Sequence, residues 1–352
     1  MNKILEKIRE VLGKKRLSAF VVTNLKNVRY LSGFTGSSAF VLITKKQAFF
    51  ITDFRYKEQS ARQVSALEVV ISKGSYLSTI KDILKQSGIK RIGFEYSAPY
   101  SIYDALRKDF YPVPVREIIE NIRKKKSATE LKLIRQAIDR AETAFLSIKR
   151  YIKPGVTERS IALRLEEAIK KQGSRMLPFD IIVASGENSA LPHAGVSERK
   201  LRAGDLVVVD WGAEANGYFS DMTRTFLLKG KNLQPRMAIY DIVLKANRAA
   251  LKKAKTAMVA MELDRVARDI INAAGYGEYF GHGTGHGVGL DIHEAPRISF
   301  QSRDVLEEGM VFTIEPGIYI SDIGGVRIED MVCLGSSRAR VLTSLPKELE
   351  IL

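Results

Sequence analysis

Residues 205–228 read DLVVVDWGAEANGYFSDMTRTFLL, and this stretch decides the fold of the second half of the chain. Two β-type runs flank Asn216-Gly217, a dipeptide suited to the two-residue hairpin turn because both positions tolerate positive φ. With those residues at the turn, Asp210 faces Thr223 and Gly212 faces Asp221. Asp210 and Asp221 become diagonal neighbours on one sheet face, with Cα atoms on the order of 7–8 Å apart. A register slipped by one residue would send them to opposite faces.

Working outward, residues 311–334, VFTIEPGIYISDIGGVRIEDMVCL, repeat the arrangement. Glu315 and Glu329 lie symmetrically about Asp322, and Gly324-Gly325 supplies the bulge or positive φ of an odd-length loop. The glutamates therefore face each other across a second hairpin. Between the hairpins lies GHGTGHGVGLDIHEAPR, residues 281–297. His282 and His286 have helical spacing, but the alternating glycines oppose a helix. The segment is thus neither an H-E-x-x-H zinc motif nor, lacking G-x-G-x-x-G and G-K-[ST], a phosphate loop. The glycines beside His286 are expected to let its backbone approach a ligand site closely.

The chain has four histidines, and three of them, His282, His286 and His293, fall within this segment; the fourth is His193. Taken singly, such acids are usually solvated strand ends and such histidines make local hydrogen bonds. Asp210, Asp221, His286, Glu315 and Glu329 together point to metal. Four clustered carboxylates repel or take up protons. Two divalent cations cancel that charge, leaving a neutral His286 and a bridging hydroxide. Oxygen-rich ligation suits manganese, cobalt or iron at least as well as zinc.

The surrounding pattern repeats as well. Ser127-Ala-Thr-Glu130 is a capping box opening a helix with Leu131, Ile134, Ile138, Ala141, Phe145 and Ile148 on its apolar face. Pro154-Gly155 stop it, and Thr157 caps a second helix that ends at Gly173. A second helix pair is expected from Pro235 to Lys255 and over ELDRVARDIINAA, ending at Gly275. Each pair precedes β-rich sequence with two acidic positions, so the two halves pack about a shared centre. At the N-terminus, Ile4, Leu5, Ile8, Val11 and Leu12 recur at helical spacing, without the apolar core or cleavage site of a secretory signal. SAFVVT, YLSGFTGSSAFVLIT and QAFFITD then read as strands and turns. Helical patterns and the strands LEVVIS and RIGFE follow, which indicates a small α/β domain. The polar NIRKKKS at 121–127 places the boundary, giving domains 1–123 and 124–352.

No run approaches the ~18–20 apolar residues of a membrane span. The net charge is +16, and residues 1–124 hold +12 of it, from 23 basic and 11 acidic residues. A basic half could meet RNA or an acidic protein. No tight basic cluster interleaved with aromatics occurs beyond Arg123–Lys126, so a solvated lysine-rich surface is preferred, and neither nucleic acid nor membrane is expected as a partner. The single cysteine, Cys333 in the run MVCL, excludes an internal disulfide framework and reads as a buried strand residue. A cytoplasmic location is expected.

SALPHAG (189–195), VVVDWGAEANGYFSDMTRT (207–225), GHGVGLDIHEAPR (285–297), EGMVFTIEPGIYI (308–320) and GGVRIED (324–330) resemble the pita-bread metallopeptidases, in the aminopeptidase P/prolidase branch. Residues 1–123, with YLSGFTGSSA and DFRY, resemble the creatinase-like N-terminal domain of that branch. The resemblance covers nearly the whole chain. It implies an α/β creatinase-like domain followed by an α+β pita-bread catalytic domain with pseudo-twofold symmetry. The implied reaction is metal-dependent hydrolysis of Xaa-Pro peptide bonds by a hydroxide shared between two cations, manganese or cobalt foremost, with zinc or iron as alternatives.

Position by position, the resemblance implies that Asp210 binds one metal and Asp221 bridges both. His286 and Glu315 bind the other, and Glu329 bridges. His193 and His293 position substrate and steady the tetrahedral intermediate, while Glu315 shuttles a proton to the leaving nitrogen. Arg327 braces the ligand carboxylates, and Thr223 is grouped with it beside ligands or substrate. Arg297 either meets a substrate carboxylate or holds its own loop; Phe179 either lines a proline pocket or packs in the core. His282 is expected only to make a turn hydrogen bond. A homodimer is implied, and dipeptidase and aminopeptidase activities both stay open. A creatinase-like hydrolase would lack the metal ligands, and a methionine aminopeptidase would lack the N-terminal domain. The reading from another class is a pita-bread protein whose basic N-terminal domain binds an acidic partner, RNA or protein, as a second function.

Overall fold

The computed structural model describes residues 2–352. They form two compact units, one ending at Arg123 and the other starting at Lys124. The first unit contains, in order, α1 (Asn2–Lys14), β1 (Ala19–Val22), α2 (Leu25–Ser32), β2 (Phe40–Thr44), β3 (Ala48–Thr52), α3 (Lys57–Gln63), β4 (Glu68–Ile71), α4 (Tyr76–Gln86), β5 (Arg91–Glu95), α5 (Tyr100–Arg107), β6 (Tyr111–Val115) and α6 (Ile118–Arg123). The six strands form one mixed sheet in the order β4-β3-β2-β1-β5-β6.

Both faces of that sheet are covered, as strand periodicity requires when successive side chains point to opposite sides. Phe20 and Val22 join the cluster containing Ile8 and Leu12 of α1, Val28 and Leu31 of α2 and Ile119 of α6. Ala19 and Val21 join the cluster on the other side, with Ile80 and Leu84 of α4 and Leu106 of α5. One sequence expectation needs correcting here: the start of YLSGFTGSSAFVLIT is not extended. Tyr30, Leu31 and Ser32 close α2, whose N-cap Asn24 accepts a hydrogen bond from the Lys26 N–H and whose C-cap Gly33 takes φ 77°. The β-type residues Val28 and Tyr30 mask two capping signals that were present in the sequence.

The second unit runs α7 (Ala128–Ile148), α8 (Glu158–Lys171), β7 (Ile182–Ser185), β8 (Leu206–Trp211), β9 (Glu214–Ala215), β10 (Tyr218–Phe219), β11 (Met222–Leu227), α9 (Gln234–Lys253), α10 (Ala260–Ala273), β12 (Gly285–Gly287), β13 (Glu294–Ile298), β14 (Val311–Ile314), β15 (Gly317–Ile320), β16 (Gly324–Arg327), β17 (Asp330–Leu334) and β18 (Ala339–Val341). The Ser127–Glu130 capping box forms and starts α7. Thr157 caps α8 by accepting from the Ser160 N–H. Two helix pairs thus each precede a sheet, β11-β8-β7 in the first half and β13-β12-β14-β17-β18 in the second. Trp211, fully buried, stacks on Phe145 of α7 at 4.4 Å and donates its indole N–H to the Ala141 carbonyl at 3.0 Å. That contact fixes the end of β8, next to Asp210. Cys333 is a free, buried residue of β17. Among the described residues no helix is long and apolar enough to cross a membrane.

Candidate metal centre

The turn at Asn216-Gly217 sets the first acidic pair. Both residues take positive φ, 47° and 79°, and Ala215 pairs with Tyr218 around them. The same register continues into β8 and β11, where Asp210 pairs with Thr223 and Trp211 with Met222. Asp221 sits at the corner before β11 and is buried. Gly212 opposite it is required there, because a Cβ would meet the Ser220 carbonyl at 2.0 Å.

The second hairpin is centred on Asp322 and interrupted at the ligand positions. Gly317 pairs with Arg327 and Ile314 with Asp330, which leaves Glu315-Pro316 facing Ile328-Glu329 between the two ladders. Pro316 has no N–H to donate. The interruption releases backbone groups to cross-link the site. The Glu315 N–H donates to the Thr284 carbonyl at 2.8 Å, and the Glu329 N–H to the Thr223 carbonyl at 3.1 Å.

His286 lies on β12 opposite Arg297 of β13. Its flanking glycines do not serve an approach to ligand, as the sequence suggested. A Cβ on Gly285 would stand 2.0 Å from the Thr313 carbonyl, and one on Gly287 would stand 2.2 Å from the Ala295 carbonyl. The glycines let neighbouring strands close against β12. Ahead of it, Asp264 accepts from the Thr284 N–H and hydroxyl at 3.0 and 2.8 Å. Arg268 pairs with Asp264 and donates to the carbonyls of Phe280 and His282 at 2.8 and 2.7 Å. Helix α10 thereby stiffens a segment that glycine would otherwise leave loose.

These elements bring Asp221, His286 and Glu329 together, with one ligand atom from each within 4.8 Å of the others. His286 Nε2 lies 3.5 Å from Asp221 Oδ2 and 3.4 Å from Glu315 Oε1. Its Nδ1 faces the Gly287 carbonyl at 3.1 Å, which assigns the proton to Nδ1 and turns the Nε2 lone pair into the cluster. The supporting shell is explicit. Thr223 donates its hydroxyl to Glu329 Oε2 at 2.7 Å and accepts from Arg327 Nε at 3.1 Å. Thr313 donates to Glu315 Oε1 at 3.1 Å. Arg327 reaches Asp210 Oδ2 at 2.7 Å, the Pro192 carbonyl at 3.2 Å and the Tyr319 hydroxyl at 2.9 Å.

Electrostatics favour a cation in this cluster. Burial raises Asp221 well above its usual range, and repulsion from Glu329, Asp210 and Glu315 adds to it. Burial raises Glu329 likewise, followed by repulsion from Glu315 and Asp210, and burial raises Glu315. Burial lowers His286, keeping the imidazole in its neutral, metal-binding form. Asp210 Oδ1 is buried without a hydrogen-bond partner, an orphan acceptor of the kind a cation satisfies. Oxygen donors with one imidazole fit divalent metal.

The remaining predicted residues sit around this centre. The His293 ring is exposed and lies 4.2 Å from the His286 ring. His193 is exposed on the segment after β7, immediately after the Pro192 that Arg327 contacts. Arg297 is exposed, with its backbone N–H fixed to Asp304 at 2.9 Å. Phe179 is half-buried before β7, and its neighbour Pro178 packs against Gly212. His282 does more than make a turn bond. Its Nδ1 meets the Gly283 carbonyl at 2.8 Å, while Nε2 meets the Tyr319 hydroxyl at 2.9 Å. Burial pushes Tyr319 up to about 12, so it stays protonated and links His282 to Arg327. Sequence reasoning missed Tyr319 and Thr313. Their alternation with Glu315 on the strand pair was the available signal.

The model of metallopeptidase family M24 matches residues 132–336, and that of the creatinase/prolidase N-terminal domain matches residues 4–125. The chain is similar in structure to a Xaa-Pro dipeptidase from Bacillus anthracis, with TM-score 0.97, 42% identity and 99% of each chain covered. It is 39% identical to a Xaa-Pro dipeptidase from Pyrococcus horikoshii, with 99% of each chain covered. It is also similar to an X-Pro aminopeptidase from Thermotoga maritima, with TM-score 0.88, 36% identity and 99% of each chain covered. The fold is therefore the expected creatinase-like N-terminal domain followed by a pita-bread catalytic domain. With these matches spanning both units, the chain belongs to metallopeptidase family M24.

Proposed function

We propose that this protein hydrolyses the peptide bond before proline in short peptides, using two divalent cations held by Asp210, Asp221, His286, Glu315 and Glu329. The observation that carries the reading is the convergence of Asp221, His286 and Glu329 within 4.8 Å in a chain so similar to a Xaa-Pro dipeptidase. Residues 124–352 form the catalytic domain in this reading, and residues 1–123 its N-terminal companion. The enzyme is taken to be cytoplasmic and homodimeric, with manganese or cobalt preferred.

Bound cations would supply Lewis acidity and lower the pKa of the attacking water. The chain's own groups do the rest. Arg327 orients Asp210, Thr223 orients Glu329 and Thr313 orients Glu315. His293 and His193 donate to the oxyanion that develops on the attacked carbonyl. Glu315 takes up the proton that the attacking water gives up and delivers it to the leaving proline nitrogen. Phe179 offers an apolar ring for the proline side.

His293→Ala should retain both metals and lose roughly two to three orders of magnitude in kcat, the range for one oxyanion donor. Metal analysis beside steady-state kinetics checks this. A collapse of metal content together with rate would make His293 a ligand and defeat the assignment.

Substrate choice turns on Arg297, which faces His286 across β12 and β13. Paired strand residues share a face, so the guanidinium can reach a carboxylate on the proline of a dipeptide. A tripeptide has an amide there. The test is cleavage of an Xaa-Pro dipeptide and an Xaa-Pro-Yaa tripeptide by wild type and Arg297→Ala. A dipeptidase should show KM for the dipeptide raised by about tenfold or more, the weight of one charge-assisted pair, with the tripeptide little changed. Equal losses on both substrates would leave the aminopeptidase activity as the better reading. Failure to cleave either peptide would remove the Xaa-Pro assignment.

A further inference from the structure

Glu158 opens α8 and is fully buried. Its two carboxylate oxygens accept six hydrogen bonds, and all come from residues 185–197. Ser185 donates its N–H and hydroxyl, each at 2.7 Å. The Asn188 amide nitrogen lies 3.1 Å from both oxygens, and Ser197 donates its N–H at 3.2 Å and its hydroxyl at 2.6 Å. One side chain thus gathers the start, the middle and the far end of a segment whose exposed apex carries His193. The returning chain is fixed to the same helix end, since the Glu158 and Arg159 N–H groups donate to the carbonyls of Arg199 and Ser197, each at 3.1 Å.

The segment is held from the metal-centre side as well. The Gly325 N–H donates to the Ser189 hydroxyl at 2.8 Å, and a Cβ on Gly325 would strike the Ser189 carbonyl at 1.9 Å. Arg327, bonded to Asp210, donates to the carbonyl of Pro192, the residue before His193. Six hydrogen bonds converging on one buried carboxylate far exceed what capping α8 requires, because Thr157 already caps that helix.

We propose that Glu158 is a positioning residue: it closes the segment 185–197 so that His193 is presented to the reacting peptide. The proposal rests on the reading of His193 as a substrate-facing histidine. Glu158 itself touches neither peptide nor cation. Glutamine keeps the shape but has one acceptor oxygen and an NH2 group, which must then face the donors of Asn188 or Ser197. The segment loosens, and a displacement of about 1 Å is enough to cost on the order of 10²-fold in rate.

The test uses the metal-loaded full chain with an Xaa-Pro dipeptide. Glu158→Gln should keep its metal content and lose on the order of 10²-fold in kcat/KM. In the His193→Ala background the same change should cost almost nothing, because the loss passes through that histidine. Amide exchange should speed up in residues 186–196 and stay unchanged in residues 285–287. Should Glu158→Gln fail to fold, Asn188→Ala removes two of the six bonds and should show a smaller loss with the same dependence on His193. Multiplying losses in the double variant, a drop in metal content or unchanged exchange in the segment would each overturn the role of Glu158. Wild-type turnover in His193→Ala alone would instead overturn the reading of His193, and this proposal with it.

Discussion

Removing the metal should abolish peptide hydrolysis, and adding manganese or cobalt back should restore it. Stability should respond with a defined sign. In the metal-free chain Asp221, Glu315 and Glu329 all sit above their ordinary values of 3.8 for Asp and 4.5 for Glu, with burial as the leading cause. Groups raised in this way favour folding while protonated. Their contribution is fully present below the ordinary values and is lost as pH rises through the higher folded ones. Burial lowers His286, which acts the other way: protonation opposes the folded state as pH falls below its ordinary value of 6.5. Cations release protons from both kinds of ligand on binding. The gap in thermal midpoint between loaded and metal-free protein should therefore widen as pH rises above the ordinary carboxylate values of 3.8 and 4.5. Full turnover by protein shown to be metal-free would defeat the proposed mechanism. A gap independent of pH would show that these groups do not bind the ions.

Much of this centre could be read before any coordinates, for reasons that differ from residue to residue. Asn216-Gly217 admits one turn, and that turn carries Asp210 opposite Thr223 without help from the rest of the fold. The symmetry of Glu315 and Glu329 about Asp322 works the same way, since a hairpin centre dictates every pair beyond it. The β-favouring Val28 and Tyr30 hide helix α2 in the sequence, although Asn24 and Gly33 mark both its ends. The glycines beside His286 were legible as close approaches, but which surface they approach depends on strand neighbours that the local sequence does not encode. The same limit hid Glu158, whose partners lie 27 to 39 residues away. Tyr319 is hidden for a related reason: a tyrosine in an apolar strand gains meaning only when Arg327 and His282 arrive on either side of it.

Asp221→Asn should remove one or both metals and nearly all turnover, a loss well beyond the roughly 10²- to 10³-fold expected for an oxyanion donor such as His293. The argument begins from register. Asp221 stands at the corner opposite Gly212, so its carboxylate shares a face with Asp210 and meets His286 and Glu329 within 4.8 Å. Asparagine keeps the size but offers one oxygen and an NH2 group, and it carries no charge to bridge two cations. A second readout separates loss of a ligand from general misfolding. Burial and repulsion from Glu329, Asp210 and Glu315 disfavour the ionised Asp221 in the metal-free chain. Neutralising it relieves that repulsion, so metal-free Asp221→Asn should unfold at or above the midpoint of metal-free wild type near neutral pH. The stabilisation that metal gives the wild type, which follows ion concentration over the dissociation constant, should shrink or vanish in the variant. Metal titration, thermal unfolding with and without chelator, and Xaa-Pro hydrolysis on one preparation measure all three effects. Wild-type metal content in Asp221→Asn would mean that the carboxylate is not a bridge, and that the hairpin register places a buried acid beside the centre rather than in it.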